Sequence, residues 1–447
     1  MNYDAAVLGA AFLFLTLAVS RKNGGAALGI LIMSMLVWPE FLRTQIGLIQ
    51  MSVPRFVAIA LLIKFVLTWR HRRISFGKAD ALCVLLWAWT ILANILSNAE
   101  YHQVTEVIGR GFDTVLMYFV ARLALVNRED VPGMFEAIGI SAIVMCFNGI
   151  YQATSWTSPY IEYFSAYYGG FYPHGGIGEI RHGLMRAQGS TSQPIFFGMA
   201  MMLVTGLLWS IRGYVNRQFA FKIVLLAALV AVLSTMSSGP WIALASLIGA
   251  NWYFNRPHLI KPTLYLILVL IIAAQIASNR NFYDLIDHIN LGSGDAYYRS
   301  RLLDVAISHW QDYWIVGKGS NSVEYWGRLI DGRKTVDIVN HFIIIALNGG
   351  VPALLFYLSM HIIAIRRSIT AFQANDDIAS KKLIFGLAAT LVALDFSSMS
   401  VGLWGPVLLL SFILVGLMIS ATAWRRDQEG DLVTDQIGNS EEQNSQC

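Results

Sequence analysis

Apolar stretches of roughly the length that crosses a bilayer recur along the whole chain, separated by short polar segments. A transmembrane α-helix needs about 20 mostly apolar residues, and a single soluble domain cannot bury so many stretches of this kind. The candidate spans are 5–20, 26–41, 54–69, 79–96, 112–126, 135–154, 194–211, 221–235, 240–254, 263–278, 342–365, 383–398 and 401–424. The pattern predicts an all-α integral membrane protein with about 12 to 13 transmembrane helices.

The composition excludes an ordinary soluble protein. Of the 447 residues, 56% are hydrophobic and 13% are charged, and the mean hydropathy is +0.54. Soluble domains carry about 25% charged residues, so roughly half of the usual charged surface is missing. Basic residues are scattered over short loops and form no basic helix or stripe. We therefore expect membrane lipids around the protein and no nucleic-acid partner.

Positive charge occurs in alternate loops. These loops hold Arg21, Lys22, Arg70, Arg72, Arg73, Lys78, Arg128, Arg212, Arg217, Lys222, Arg256, Lys261, Arg366, Arg367, Lys381, Lys382, Arg425 and Arg426. If all thirteen spans form, every one of these loops lies on the same side of the membrane. Because Lys and Arg concentrate in cytoplasmic loops, we expect an outside N-terminus, an inside C-terminus and a multi-pass protein of a bacterial inner membrane.

Two long loops lie on the opposite, periplasmic side of this prediction. They run over 155–193 and 279–340, and the second contains an apolar periodicity that predicts a helix over 298–313. Long loops without a disordered composition are usually functional. The chain divides into N-terminal helices with the first long loop (1–185), a core with the second (186–355), C-terminal helices (356–426) and a disordered cytoplasmic tail (427–447).

Candidate chemical groups gather beside these loops. Arg186 precedes a span, Arg299 and Arg301 open the predicted loop helix, and Asn340 with His341 stands where the second loop re-enters the membrane. The planar donors of arginine match phosphate oxygens, which suits a diphosphate. An imidazole near its ordinary pKa can take a proton from a sugar hydroxyl.

Each of these residues also has a structural interpretation. Arg186 and Arg299 at span edges are equally explained as side chains that reach the lipid headgroups, and Arg301 as a solvated loop charge. His341 alone is typical of an interfacial, hydrogen-bonded histidine. Other histidines also lie on the predicted external side, so residue type does not single out a site.

The cysteines and acidic residues predict neither a metal site nor a cofactor. Cys83 and Cys146 lie in apolar spans and Cys447 ends the chain, with no CxxC or Cys/His cluster. The acidic residues of the second loop have no spacing that fits a calcium or magnesium loop.

A series of short motifs resembles a known family. In chain order they are Arg186-x-x-Gly189, Ser237-Ser-Gly239-Pro-Trp, Arg299, Gly317-x-Gly319, Asn340-His341-Phe342 and Gly349. This order is similar to that of the O-antigen ligase and O-antigen polymerase superfamily of bacterial membrane glycosyltransferases, which includes exopolysaccharide polymerases. The resemblance covers roughly 186–355. The chain departs from it at Ser238-Gly239-Pro240, where many members have Ser-Arg-Gly, and at Asn340, which precedes the histidine instead of following it.

The resemblance implies transfer of a glycan from an undecaprenyl-diphosphate carrier to an acceptor sugar hydroxyl at the periplasmic face, without a metal or cofactor. It implies that Arg186 and Arg299 hold the leaving diphosphate and that His341 activates the acceptor. Substrate binding falls to the neighbouring Arg301, Gly189 and Asn340. The expected partners are the carrier-linked glycan, the acceptor, lipids and other proteins of polysaccharide assembly.

Three functions remain open at this point. A polymerase and a ligase differ in their acceptor, which is a growing glycan or the lipid A core, and the resemblance favours a polymerase. A permease without chemistry predicts charged residues along a path through the spans, for which Lys64, Arg122 and Asp395 are the candidates. A non-catalytic assembly subunit predicts that Arg186 and His341 are replaceable.

Overall fold

The computed structural model describes residues 3–47, 49–68, 75–164, 180–181, 183–277, 295–319, 323–332 and 334–424. The predicted disordered tail lies outside these residues, as do 165–179 and 278–294 of the long loops. The described part of the chain is mostly helical (78%). Its helices are α1 (Tyr3–Ser20), α2 (Gly24–Val37), α3 (Val53–Leu67), α4 (Lys78–Leu96), α5 (Tyr101–Ala124), α6 (Met134–Ser155), α7 (Pro159–Phe164), α8 (Pro194–Ile211), α9 (Gln218–Ser234), α10 (Ser238–Trp252), α11 (Ile260–Ala277), α12 (Asp295–Ser308), α13 (Tyr325–Asp331), α14 (His341–Ala374), α15 (Ile378–Ser398) and α16 (Pro406–Ala421).

Several helices are suited to a membrane. Among the described residues, five helices are long and apolar enough to cross one, namely Tyr3–Ser20, Lys78–Leu96, Arg128–Ser155, Pro194–Ile211 and His341–Ala374. Shorter apolar helices cover Gly24–Val37, Gln218–Ser234, Ile260–Leu270 and Pro406–Ala421. The architecture is that of a multi-pass membrane protein, and the count of 12 to 13 spans stays a prediction.

The centre of the bundle is formed by α8 and α16, in which almost every side chain is buried. A helix that is apolar on all faces belongs in the core of a large protein or in a membrane. Helix α8 packs against α9, α10, α15 and α16, and α16 packs against α5. The segments 1–185, 186–355 and 356–426 therefore contribute helices to one shared bundle.

Loops that carry positive charge meet at one end of the bundle. The Arg128 guanidinium lies 3.4 Å from the Asp377 carboxylate, and the Asn23 side chain donates a hydrogen bond to the Glu129 carbonyl at 2.8 Å. The loops after α1, α5 and α14 thus share one end, as the charge alternation predicts. The side of the membrane that this end faces stays a prediction.

The opposite end of the bundle, called the loop end below, comprises 38–52, 183–193, 236–240, 399–405 and the described parts of 295–340. The Glu40 N–H donates to the Ser190 carbonyl at 3.1 Å. The Asn340 side chain donates to the Met399 carbonyl at 2.8 Å. Segments far apart in sequence therefore meet here.

Two short β-hairpins at the loop end add to the expected all-α fold. Strands β1 (Arg43–Ile46) and β2 (Ile49–Ser52) pair antiparallel, and so do β3 (Ile180–Arg181) and β4 (Leu184–Met185). The first hairpin follows α2, which ends at Val37 and not near the predicted boundary at 41. The Ser52 hydroxyl then accepts a hydrogen bond from the Arg55 N–H and caps α3.

Helix α14 is broken at Gly349 and Gly350, where the backbone leaves helical geometry (φ −156°, ψ 16° and φ 70°, ψ −173°). The rings of His341 and Tyr357 lie 5.6 Å apart between centroids. Sixteen residues of straight helix would separate them by about 24 Å. The two arms of α14 therefore fold toward each other, and the predicted span 342–365 is interrupted, not continuous.

Groups of the second long loop and of α4 form hydrogen bonds with the backbone N–H and carbonyl groups at this break. The Val351 N–H donates to the Trp314 carbonyl at 2.8 Å, and the Trp89 indole N–H of α4 donates to the Gly349 carbonyl at 2.7 Å. Non-helical backbone within a membrane protein is stable only where protein groups or water supply its hydrogen bonds. The second long loop and α4 therefore hold the bend.

A small hydrophobic core joins the second long loop to the first arm of α14. Its buried members are Tyr298, Leu302, Ala306, Tyr313, Val323, Trp326, Ile330, Ile338, Ile343, Ile344, Ala346 and Leu347. Helices α12 and α13 supply one side of this core, so the described part of the loop is packed against the bundle.

Candidate functional site

A cavity of about 1030 Å³ lies at the loop end. It is lined by the segment after α2, the first hairpin, the beginnings of α3 and α16, and α5. Ligand sites usually measure roughly 300–1,000 Å³. The cavity, called the polar cavity below, therefore has room for a short glycan.

Helix α5 presents a charged face to the polar cavity. His102, Glu106, Arg110 and Asp113 all line it. Their spacings of three and four residues place them on one face of the helix. Because the sequence prediction began this span at 112, it left most of the stripe in a loop.

The arginines of the cavity are held by neighbouring groups. Arg55 makes a bidentate pair with Asp113, with both N···O distances at 2.6 Å. Arg110 pairs with Glu106, and its guanidinium carbon lies 4.7 Å from the centroid of the Trp404 ring. A cation over an indole face is attracted by the ring's quadrupole. The cavity wall thus combines fixed guanidinium groups with an aromatic surface.

Glu40 has one held and one unpaired oxygen. It lies three residues beyond the end of α2, where its Oε1 accepts a hydrogen bond from the Ser192 N–H at 2.8 Å. Its Oε2 is buried and has no hydrogen-bond partner in the described chain. Burial raises the pKa of this carboxyl, while the Ser192 hydrogen bonds and the charge of Arg43 oppose the shift.

A second cavity, of about 110 Å³, lies between α4, α5, α14 and α16 and is called the apolar cavity below. Its apolar lining includes Cys83, Leu86, Val107, Ile345 and Phe412, and its polar lining includes Thr90, Arg110, Thr114, His341, Asn348 and Tyr357. Trp87, Arg110, Trp404 and Leu408 line both cavities. The two cavities therefore adjoin across these side chains.

The apolar cavity contains two buried polar atoms that lack a partner within the described residues. These are His341 Nε2 and the Tyr357 hydroxyl. His341 Nδ1 accepts a hydrogen bond from the Leu403 N–H at 3.3 Å. Because Nδ1 is an acceptor there, a neutral imidazole carries its hydrogen on Nε2. His341 in this arrangement offers a hydrogen-bond donor to a ligand.

Another titratable pair lies behind Tyr357. The rings of Tyr357 and His361 are 4.1 Å apart between centroids, and His361 Nδ1 lies 2.8 Å from an Asp395 carboxylate oxygen. The pair fixes the His361 ring and, through the ring contact, supports Tyr357. Ligating or reacting side chains are commonly oriented by such outer partners.

Arg186 is held at the junction of α9 and α10. Its Nε donates to the Thr235 carbonyl at 3.3 Å and its Nη2 to the Ser237 hydroxyl at 2.7 Å. The neighbouring Gly239 carbonyl accepts from the Ser397 hydroxyl at 3.3 Å. Arg186 lies at the loop end, and it lines neither cavity.

Arg299 and Arg301 lie on α12, away from both linings. Arg299 is half-buried, beside the buried Tyr298 whose hydroxyl donates to the Asp337 carbonyl at 2.9 Å. Arg301 is exposed, and its guanidinium lies 3.8 Å from the Asp304 carboxylate. Through Tyr298, helix α12 thus contacts the segment that leads into His341.

Asn340 and Gly189 have local structural roles. The Asn340 side-chain oxygen accepts from the N–H groups of Phe342 and Ile343, which caps α14. Gly189 has φ +57°, and a Cβ there would lie 2.6 Å from the Phe197 ring. The Asn340 side chain is engaged in the helix cap, and Gly189 has no side chain. Neither residue lines either cavity.

Sequence reasoning missed Glu40, Arg55 and Arg110. Only the polar stripe of α5 leaves a signal, because its charges recur at helical spacing. Glu40 and Arg55 come from loop and helix-start positions whose partners are distant in sequence. Among the described residues, no group of three or more His, Cys, Asp or Glu side chains is placed to hold a metal ion.

No protein-family model matches the chain, and no curated protein matches it. The functional conclusion therefore depends on the chemistry of the two cavities and on the motif order of the sequence. The polar cavity lies at the loop end, and the apolar cavity adjoins it between α4, α5, α14 and α16.

Proposed function

We propose that the protein is a membrane glycosyltransferase that moves a glycan from an undecaprenyl-diphosphate carrier to an acceptor sugar hydroxyl at the periplasmic face, polymerising an exopolysaccharide or O-antigen. The observation that carries this proposal is the contact between the apolar and the polar cavity. Such a substrate is itself divided into an apolar chain, a charged diphosphate and a polar glycan.

Each part of that substrate has matching chemistry along the two cavities. The aliphatic and aromatic lining of the apolar cavity suits the isoprenoid units next to the diphosphate. Arg110 lies where the cavities adjoin and supplies a cation for phosphate oxygens. Trp87 and Trp404 offer ring faces to the sugar, since indole rings combine apolar surface with a polar edge.

The chemistry of the transfer needs positive charge at the leaving group. As the glycosidic bond breaks, the diphosphate gains charge, and fixed donors at that position lower the barrier. Arg110 and the Nε2–H of His341 would supply such donors, a role that differs from the activation of the acceptor that the resemblance implies for His341. The resemblance gives this role to Arg186 and Arg299, which lie at the same end of the bundle but line neither cavity.

A permease finds less support in the three candidate charges of the spans. Lys64 donates to the Arg21 carbonyl at the end opposite the cavities. Arg122 is paired with Asp80, with Nε to Oδ1 at 2.9 Å. Asp395 pairs with His361. These three candidate charges have separate partners and line neither of the two cavities.

The choice between polymerase and ligase rests on the sequence resemblance. A polymerase extends a carrier-linked chain, and a ligase moves a finished chain to the lipid A core. In cells that lack the gene, the polymerase predicts single carrier-linked repeats, and the ligase predicts carrier-linked polymer.

Glycan output from a deletion strain complemented with His341→Ala tests the proposal. We expect the variant to be present in the membrane and polymer to be lost, with single repeats left on the carrier. His309→Ala is the matched control, because His309 bonds the Val305 carbonyl and lines neither cavity. Normal polymer from the His341 variant overturns the proposal that His341 belongs to the site.

A further inference from the structure

Glu40 is held rigidly at the edge of the polar cavity. Its N–H donates to the Ser190 carbonyl at 3.1 Å, and its Oε1 accepts from the Ser192 N–H at 2.8 Å. These two bonds fix both the backbone and one carboxylate oxygen. The other oxygen, Oε2, is enclosed and without a hydrogen-bond partner in the described chain.

Gly405 closes the opposite side of this carboxylate. It has φ +53°, and a Cβ at this position would lie 2.0 Å from Glu40 Oε2. Only glycine therefore lets the backbone approach so closely. Buried polar atoms are nearly always satisfied in native proteins, and an exception needs an explanation such as a bound partner. Glu40 also lines the polar cavity, so its carboxylate is the group of this wall that keeps an oxygen available for a further hydrogen bond.

Glu40 and His341 flank the same short segment. His341 accepts a hydrogen bond from the Leu403 N–H, and Glu40 lies against Gly405. Two residues of extended chain span at most about 7 Å. Trp404, which lies between Leu403 and Gly405 in the sequence, lines both cavities.

The two groups have opposite hydrogen-bonding character. A neutral His341 with an acceptor Nδ1 presents Nε2–H, which donates. The Glu40 carboxylate presents a free oxygen, which accepts. Two titratable groups with different environments are the usual arrangement for acid–base work.

We propose that Glu40 is the proton acceptor of the transfer reaction, an inference that rests on the proposed function. The acceptor sugar oxygen bonds to the anomeric carbon of the carrier-linked glycan. The bond from that carbon to the phosphate oxygen breaks, and its electron pair leaves with the diphosphate. The proton of the sugar hydroxyl moves to Glu40 Oε2, while His341 donates a hydrogen bond to an oxygen of the leaving group.

The charges around Glu40 suit this role. The charge of Arg43 acts on it, and the cavity is also lined by Arg55, His102, Glu106, Arg110 and Asp113. Burial is the largest effect and raises the pKa of Glu40 above its ordinary value. A carboxylate with a raised pKa is a stronger base and is better matched to a neutral working pH.

The test uses the purified full chain in lipid nanodiscs, with carrier-linked single repeats from a deletion strain as substrate. Initial rates give kcat and KM across pH for the parent, Glu40→Gln and Glu40→Asp. Glu162→Gln is the matched control, since Glu162 is an exposed carboxylate on α7 near the same end that does not line the cavity.

We expect Glu40→Gln to lose about 100-fold or more in kcat, with KM changed less than threefold. The parent rate should fall as the pH drops through the raised pKa of Glu40, and the residual rate of Glu40→Gln should be flat there. Glu40→Asp keeps a carboxylate and should recover part of kcat with the pH dependence. A purely structural role would not restore that dependence.

The outcomes separate this inference from the proposed function. If the parent transfers glycan, His341→Ala does not, and folded Glu40→Gln keeps the parental kcat and pH profile, Glu40 is not the proton acceptor and the function stands. If the folded parent transfers no glycan from the carrier, both the function and the inference are wrong.

Discussion

Buried polar atoms without partners distinguish the site from the scaffold. Across the described residues these atoms are Glu40 Oε2, Asn148 Oδ1, Trp326 Nε1, His341 Nε2 and the Tyr357 hydroxyl. Glu40, His341 and Tyr357 line the two adjoining cavities. Such atoms lose hydration without a compensating bond, so their concentration at one place favours a binding site there.

Arg122 shows the contrasting case of a fully compensated charge. It is 2% exposed and binds Asp80, which is 0% exposed. Replacing Arg122 by alanine leaves the Asp80 carboxylate buried without its cation, at a cost of about 3–5 kcal/mol. We expect a large drop in the thermal midpoint of the purified protein. Lys222→Ala, at an exposed position, should change stability by less than about 0.5 kcal/mol.

Glu40→Gln should leave the stability of the protein unchanged or raise it, whereas replacing a residue with a structural role lowers it. Because the folded-state pKa of Glu40 is raised, ionisation costs stability at pH values above that pKa. The cost disappears below the unfolded value of about 4.3. The glutamine variant should therefore have an equal or higher thermal midpoint at pH 7, and its advantage should vanish near pH 4. A lower midpoint at pH 7 would contradict a carboxylate kept for function.

At the scale of elements, the break in α14 brings the site together. Sequence reasoning identified an apolar stretch over 342–365 and noted Gly349 within it. It did not predict that the first arm turns back, because the hydrogen bonds that stabilise the turn come from Trp314 and Trp89. No local pattern contains those distant partners.

Gly350→Ala tests the importance of this bend. The residue has φ +70° and ψ −173°, and a Cβ would lie 2.1 Å from the Ile315 carbonyl oxygen. The backbone region alone costs about 1–3 kcal/mol for a residue with a side chain. We expect a lower thermal midpoint and loss of transfer. Gly249→Ala is the control, because no atom lies within 4 Å of a Cβ there and alanine favours a helix.

The first part of helix α5 was missed because the mean hydropathy of that segment is low. The sequence prediction placed its span at 112–126, whereas the helix begins at Tyr101. The charges between these positions lower the mean hydropathy, although they recur at helical spacing. A periodicity analysis of that segment recovers the helix and its charged face. Arg55 and Asp113, by contrast, meet only through packing of α3 on α5.

At the scale of the whole molecule, the membrane makes the fold class predictable. Lipid offers no hydrogen bonds, so spanning segments must satisfy their own backbone and form helices. The hydropathy pattern identifies these spanning segments, and the charge alternation predicts their orientation. The site is less predictable, because contacts such as Glu40 with Gly405 join the first and last parts of the chain.

The predicted orientation places the loop end outside the cytoplasm. A cysteine introduced at Arg301, which is exposed at the loop end, should react with a membrane-impermeant maleimide in cells with a permeabilised outer membrane. A cysteine at Lys382, at the opposite end, should react only after lysis. Cys447 is replaced by serine in both. Reversed labelling would contradict the orientation and place the cavities on the cytoplasmic side.

The most direct measurement is transfer by the purified parent protein, with the carrier-linked repeat as the only glycan substrate. The account predicts products of two or more repeats and release of the lipid diphosphate, and it predicts that neither forms with His341→Ala. A folded parent that yields no such product, or a His341 variant that yields it at the parental rate, would contradict the assignment of glycosyl transfer to the two cavities.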